Sequence, residues 1–243
     1  MSSNSPRRSE TLTKLAQRLR MYKSDRSLHV SNGSISVQGS SMQDSTIELA
    51  PQGVKPSRAA VLICLFEGEK GDLRVILTQR SSSMSSHSGE VALPGGKWEE
   101  GDENDAGTAL REAKEEIGLD PSLVEVVTIL EPFQTKRDIT VFPVIGIIWN
   151  KDDLNFVPNA AEVESIFDAP LEMFLKNEYR REEEREWMGY KYLLHFFDYQ
   201  AENKSYVIWA LTAAILIKTA SVVYQRPPAF QERRPKFWSR SRQ

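Results

Sequence analysis

Apolar residues fall along the chain in short β-rich runs, and twice in longer runs of helical period. Residues 59–66 and 73–78 are rich in branched and other apolar side chains, and Glu67-Gly68-Glu69-Lys70-Gly71-Asp72 between them reads as a hairpin loop. The polar stretch 81–89 is followed by a short apolar run at 91–93 and by Pro94-Gly95-Gly96. From about residue 104 to residue 117, Leu110, Ala113 and Ile117 recur at helical spacing. Gly118 stands at the helix end, and Pro121 lies just beyond. Residues 124–130 and 140–149 are strand-like, 170–175 read as a short helix start led by Pro170, and 187–199 as a strand or hairpin. Residues 206–220, apolar on most faces, predict a long core helix. Strands mixed with two principal helices indicate an α/β or α+β sandwich.

The pattern divides the chain into three zones. Residues 1–55 form a polar extension, with one amphipathic piece at Leu12, Leu15, Ala16 and Leu19 and an expected poorly ordered stretch over 24–54. Residues 56–225 form the body. Residues 226–243, with Pro227, Pro228, Pro235 and several Arg, predict an irregular basic tail. The longest apolar stretch, 206–217, is too short to span a membrane, which needs roughly 20 residues. The net charge of −3 gives no global basic field for nucleic acid. A single cysteine, Cys64, excludes an internal disulfide framework. A cytoplasmic location is expected, with a mitochondrion or other organelle as the alternative, because the Ser- and Arg-rich start lacks an apolar signal core.

The chemistry concentrates on the first long helix. Glu115 and Glu116 follow Glu112 at i+3 and i+4, which brings the three carboxylates to one face. Their mutual repulsion turns into coordination energy if a hard divalent cation binds, and Mg²⁺ takes carboxylates together with substrate phosphates. Ahead of the helix, Gly95 and Gly96 allow close approach of a phosphate, and Lys97 supplies a point charge. Glu103 adds a carboxylate near the helix N-terminus.

The string Gly96…Glu103…Arg111-Glu112-Ala113-Lys114-Glu115-Glu116-Ile117-Gly118-Leu119 resembles the Nudix box, G-x5-E-x7-R-E-U-x-E-E-x-G-U, U being aliphatic. The gap from Gly96 to Glu103 is one residue longer than in the standard box. The resemblance implies an αβα sandwich with a mixed central sheet and a Mg²⁺- or Mn²⁺-dependent pyrophosphohydrolase. It further implies Glu112, Glu115 and Glu116 as metal ligands, Glu103 as support or ligand of a further ion, and Arg111 as the group that orients a carboxylate. Lys97 and Glu99 would meet phosphate and metal from the loop.

Upstream, Ile76-Leu77-Thr78-Gln79-Arg80-Ser81 leading to Gly89 and Leu93-Pro94-Gly95-Gly96 is similar to the signature of the coenzyme A diphosphatase branch, L-L-T-x-R-S/A-x3-R-x3-G-x3-F/P-P-G-G. Ser85 and Leu93 depart from it. Met84-Ser85-Ser86-His87-Ser88-Gly89 looks plant-like within that branch. The implied substrate is coenzyme A or an acyl-CoA, bound with help from Arg80, Gly95, Gly96 and Lys97. ADP-ribose, NADH or an oxidised nucleotide is the rival substrate, and a non-catalytic binding module the rival class. Either Glu162 or Glu164 is a candidate general base. His87 reads as a loop hydrogen-bonder, with a base role as the alternative. Trp187, Tyr190, Phe196 and Trp209 offer rings for adenine but belong more often to a core. The partner expected is a small molecule; neither nucleic acid nor a membrane is expected, and a homodimer is the candidate assembly.

Overall fold

The central strand, β1 (Ser57–Glu67), is apolar because both of its faces are covered. The computed structural model describes residues 9–22 and 57–239, so the expectation for residues 24–54 lies outside them. Along β1 side chains alternate between two cores: Ala60, Leu62, Cys64 and Phe66 enter one, Ile63 and Leu65 the other. Burial in the first pushes the Cys64 thiol well above its ordinary range.

On one edge β1 pairs in parallel with β7 (Ile139–Ile148), from Ser57 opposite Ile139 to Leu65 opposite Ile147. On the other it pairs antiparallel with β2 (Leu73–Arg80) at one end and with β4 (Gly95–Lys97) at the other. β3 (Val91–Ala92) and β8 (Val163–Pro170) flank β2, while β5 (Val124–Ile129) and β6 (Phe133–Gln134) flank β7. One parallel pair among antiparallel ones makes the sheet mixed, as expected.

Helix α2 (Asp105–Ile117) packs Ala109, Ala113 and Ile117 on one face of this sheet. The other face is covered by α1 (Glu10–Arg20) and α3 (Ala210–Tyr224). The amphipathic spacing in the N-terminal extension is thus a real helix. It buries Leu12, Leu15, Ala16 and Leu19, and Arg18 donates to the Val223 carbonyl of α3. A second sheet, β9 (Arg180–Trp187), β10 (Tyr190–Ala201) and β11 (Lys204–Trp209), stands beside α3. Among the described residues no helix is long and apolar enough to cross a membrane.

Two boundaries differ from the sequence reading. The helix expected over 206–220 begins only at Ala210, since Tyr206, Val207, Ile208 and Trp209 pair with β10 as strand. These aromatic and β-branched residues fit a pleated surface better than a helix. The stretch expected as an irregular tail is docked over 226–239. The Ala229 N–H donates to the Leu175 carbonyl, the Leu193 N–H donates to the Arg233 carbonyl, and Phe237 is buried. A short 3-10 turn, Lys236–Ser239, brings Trp238 edge-on to Phe133.

Candidate active site

The site is built where β1, β4 and α2 meet. Ala59, Ala60 and Val61 pair with Lys97, Gly96 and Gly95, which lays the glycine strand under the helix. A Cβ at Gly96 would collide with the Glu112 carboxylate, so only glycine lets that side chain lie across the strand. Asn104 caps α2 by accepting from the Gly107 N–H at 3.0 Å. The buried Asp105 carboxylate takes two 2.6 Å bonds from Arg58 of β1. At the far end Gly118 adopts the left-handed conformation at φ 68°. There the following loop is latched on: the Val157 N–H donates to the Ile117 carbonyl, and the Asn159 N–H to the Glu116 carbonyl.

Glu112 and Glu116, one turn apart, are the inward-facing pair. Glu116 is 4% exposed. One of its oxygens accepts from the Gly95 N–H at 3.1 Å, and the other lies 3.8 Å from the Arg80 guanidinium. Burial pushes its carboxyl up to about 7, against the Gly95 bond and Arg80, with Glu112 and Glu162 adding repulsion. Glu112 is likewise raised, first by burial, with Glu115 and Glu99 adding repulsion, although Arg111 contacts it at 3.1 Å. Glu99 and Glu115 thus bear on Glu112, and Glu112 and Glu162 on Glu116.

Arg111 organises the outer side. It donates to the Lys97 carbonyl at 3.0 Å, to Glu115 at 3.1 Å, and through two nitrogens to Asp102 at 2.9 and 3.1 Å. Asp102 also accepts from the Thr108 hydroxyl and the Glu99 N–H. Its bonds to Arg111 hold it well below the usual carboxylate range.

Of the residues singled out in the sequence, Arg80, Gly95, Gly96, Arg111, Glu112 and Glu116 converge. Glu115 does not share the inward face: it is the more exposed member and leans along the helix onto Arg111. Glu103 is exposed, and the acid that engages Arg111 is Asp102. Counted forward from Gly96 rather than back from Arg111, the acidic position of the box falls on Asp102, which was the available signal. Lys97 is exposed and meets Arg111 through its carbonyl. His87 bonds Glu90 at 2.9 Å, which suits the hydrogen-bonding role. Glu162 faces Glu116, whereas Glu164 is bound to Lys204 at 2.7 Å. Phe196 and Trp209 stack on each other, 5.5 Å apart, and Phe196 is buried; Trp187 and Tyr190 are exposed.

One buried and one half-buried carboxylate that repel each other, with oxygen-only donors above a glycine strand, fit a hard divalent cation. Among the described residues no three acidic, His or Cys groups already converge as a closed set of ligands. A shared site with substrate phosphate and water completing the shell suits Mg²⁺ better than an all-protein cage does.

Comparison with known proteins follows the same lines. Residues 56–209 match the NUDIX domain family model. The chain is 67% identical over 187 residues to Nudix hydrolase 15, mitochondrial, of Arabidopsis thaliana, covering 77% of this chain and 66% of that one. It is 63% identical over 187 residues to the same plant's Nudix hydrolase 22, chloroplastic, covering 77% and 62%. Peroxisomal coenzyme A diphosphatase NUDT7 of Mus musculus is 35% identical over 179 residues, covering 72% and 74%. The matched region thus spans slightly less than two thirds of each of the two plant relatives. Box helix, glycine strand and family match agree, and the chain belongs to the Nudix hydrolase family.

Proposed function

We propose that this protein hydrolyses the pyrophosphate bond of coenzyme A and its acyl thioesters, giving 3′,5′-ADP and 4′-phosphopantetheine or its acylated form. The observation that carries the reading is Arg80. The upstream signature supplies it, and the fold brings it beside Glu116, whose other oxygen accepts from the Gly95 N–H. A cation there can meet a phosphate of a ligand lying over Gly95 and Gly96. The name of the mouse relative points the same way.

Glu112 and Glu116 would hold Mg²⁺ or Mn²⁺, with Glu115 and Glu99 near enough to join after side-chain rotation. When bound, the ion supplies charge neutralisation at the phosphate oxygens and acidifies the attacking water. The protein's own part is positioning and proton transfer. Water attacks one phosphorus, the bridging P–O bond breaks with its electron pair leaving on the departing phosphate, and Glu162 takes the water's proton. Glu162 suits this role better than Glu164, because Asn159 Nδ2 lies 3.4 Å from its carboxylate while Lys204 neutralises Glu164. The relatives' names refer to mitochondria, chloroplasts and peroxisomes, which favours the organellar alternative over the cytoplasm.

The test is hydrolysis of coenzyme A, ADP-ribose and NADH by the purified chain with Mg²⁺ and with Mn²⁺. Preference for coenzyme A, with Glu162→Gln slowing turnover far more than Glu164→Gln, is the expected result. Preference for ADP-ribose or NADH would keep the pyrophosphatase chemistry and overturn the reading of residues 76–96. No turnover of any pyrophosphate would leave a binding module.

A further inference from the structure

Trp98 is a large apolar side chain at the edge of the site that the fold itself does not use. Its N–H donates to the Arg58 carbonyl at 2.9 Å, which carries the pairing of β4 with β1 one residue past Lys97. Trp98 thus stands opposite Arg58 and two residues on from Gly96. Positions two apart on a strand share a face. Gly96 faces α2, since a Cβ there would meet the Glu112 carboxylate. Arg58 marks the same side, because its guanidinium reaches Asp105 at the start of α2. The indole therefore leaves the strand on the Glu112 side, about 6–7 Å along from Gly96. It is 44% exposed, and among the described residues it stacks on no ring, meets no cation and donates no hydrogen bond.

The contacts of α2 with β4 put the site in order. Arg80 and Gly95 flank Glu116, Gly96 lies against Glu112, and Trp98 comes next, where Arg58 holds Asp105. A pyrophosphate over Gly95 and Gly96 therefore has Arg80 at one end and Trp98 at the other. The two ends differ in chemistry. At the first, the buried Arg80 Nε–H has no acceptor among the described residues, so a charged donor stands open to an anion. At the second, residues 97–105 with Arg58 and Arg111 carry three cations and five carboxylates. Asp102 is tied to Arg111 and Asp105 to Arg58, which leaves Glu99, Glu100 and Glu103 against Lys97 alone. Arg111 is further shared with Glu112 and Glu115. That acidic surplus repels a further phosphate, whereas the indole suits a neutral, apolar group.

We propose that Trp98 receives the uncharged pantetheine arm of the substrate and its acyl chain, while the 3′-phosphorylated nucleoside lies toward Arg80. The proposal rests on coenzyme A as the substrate, and adds a direction of binding and a residue that selects among acyl thioesters. Coenzyme A carries its charge on the pyrophosphate and the nucleoside, and the arm beyond is neutral. Laid with the nucleoside toward Arg80, it meets a cation with its 3′-phosphate and keeps that phosphate away from Glu99, Glu100 and Glu103. An acyl chain crossing the exposed indole takes apolar surface of both out of water, and more of it as the chain lengthens.

The test is steady-state kinetics of the full chain with Mg²⁺ on coenzyme A, 3′-dephospho-coenzyme A, acetyl-CoA and lauroyl-CoA, with Trp98→Ala and Trp98→Phe as variants. Trp98→Ala should raise KM for lauroyl-CoA about tenfold more than for coenzyme A, and Trp98→Phe should recover most of that loss. The preference for coenzyme A over its 3′-dephospho form should be the same in both variants as in the unaltered chain. An unchanged thermal midpoint, expected of so exposed a side chain, separates lost binding from lost folding. Chain-length dependence untouched by Trp98→Ala would overturn the proposal. So would loss of the preference for the 3′-phosphate, which would put the nucleoside on the indole. Both results leave coenzyme A as the substrate. Turnover of ADP-ribose or NADH with none of the four thiol compounds would instead overturn the substrate reading, and this proposal with it.

Discussion

Glu116 is held where its charge is least welcome, and the penalty is measurable when metal is withheld. Its carboxyl titrates at about 7 in the folded chain against 4.5 as an ordinary value. The metal-free fold is therefore fully stable in this respect below about pH 4.5, and loses stability as pH rises through 7. Glu116→Gln keeps an acceptor for the Gly95 N–H and removes the charge. In EDTA it should raise the thermal midpoint, by roughly 3 kcal/mol of stability at pH 8 and almost nothing at pH 4. With Mg²⁺ the same variant should lose turnover at least about a hundredfold. Asp102 makes the opposite case, since its charge is satisfied by Arg111. Asp102→Asn should lower kcat roughly tenfold by freeing Arg111, while Glu103→Gln leaves it within about twofold. Steady-state kinetics of the pair decides which acid serves the site. Glu112 and Glu116 were legible from helical spacing read together with the glycine loop and the box, while spacing put Glu115 on the same face and the fold turns it onto Arg111. The Asp102 role was not legible, because one extra loop residue makes two neighbouring acids fit the box from opposite ends.

Helix α2 works because both of its ends are fastened to other elements. Gly118 is the critical joint: it needs a left-handed backbone, and a Cβ there would sit 3.0 Å from Val157. Gly118→Ala should cost about 1–2 kcal/mol, seen as a lower denaturation midpoint. It should also lower kcat with little change in KM, because the latched loop carries Asn159 and Glu162. The helix itself could be read from its sequence, since an Asn cap, apolar spacing and a terminal glycine agree. The border between β11 and α3 could not. The apolar run across 206–217 contains no Gly or Pro, and the break falls at Ala210, whose φ of 51° leaves no mark in composition. Pairing with β10, a tertiary fact, decides it.

At the scale of the whole fold, α1 and the segment 226–239 close over the core from opposite ends of the described residues. Helix α1 covers one face of the sheet with α3, and the segment 226–239 runs back over α3 and β10 to seat Phe237 and Trp238. Proline and arginine made that segment look loose; Phe230, Phe237 and Trp238 were the residues to weigh. Phe237→Ala should destabilise by roughly 2–4 kcal/mol in chemical denaturation, without altering substrate preference. The parallel pairing of β1 with β7 adds a constraint of another kind. Its partners lie 82 positions apart in the chain, Ser57 with Ile139. At a synthesis rate of about 5–20 residues per second, β1 waits roughly 4–16 s on the ribosome for its neighbour. The helix glutamates Glu112 and Glu116 are made well before β7, yet their platform lacks its second edge until that strand emerges. A nascent chain arrested before residue 148 would carry Glu99, Glu112, Glu115 and Glu116 and still be unready to bind a cation.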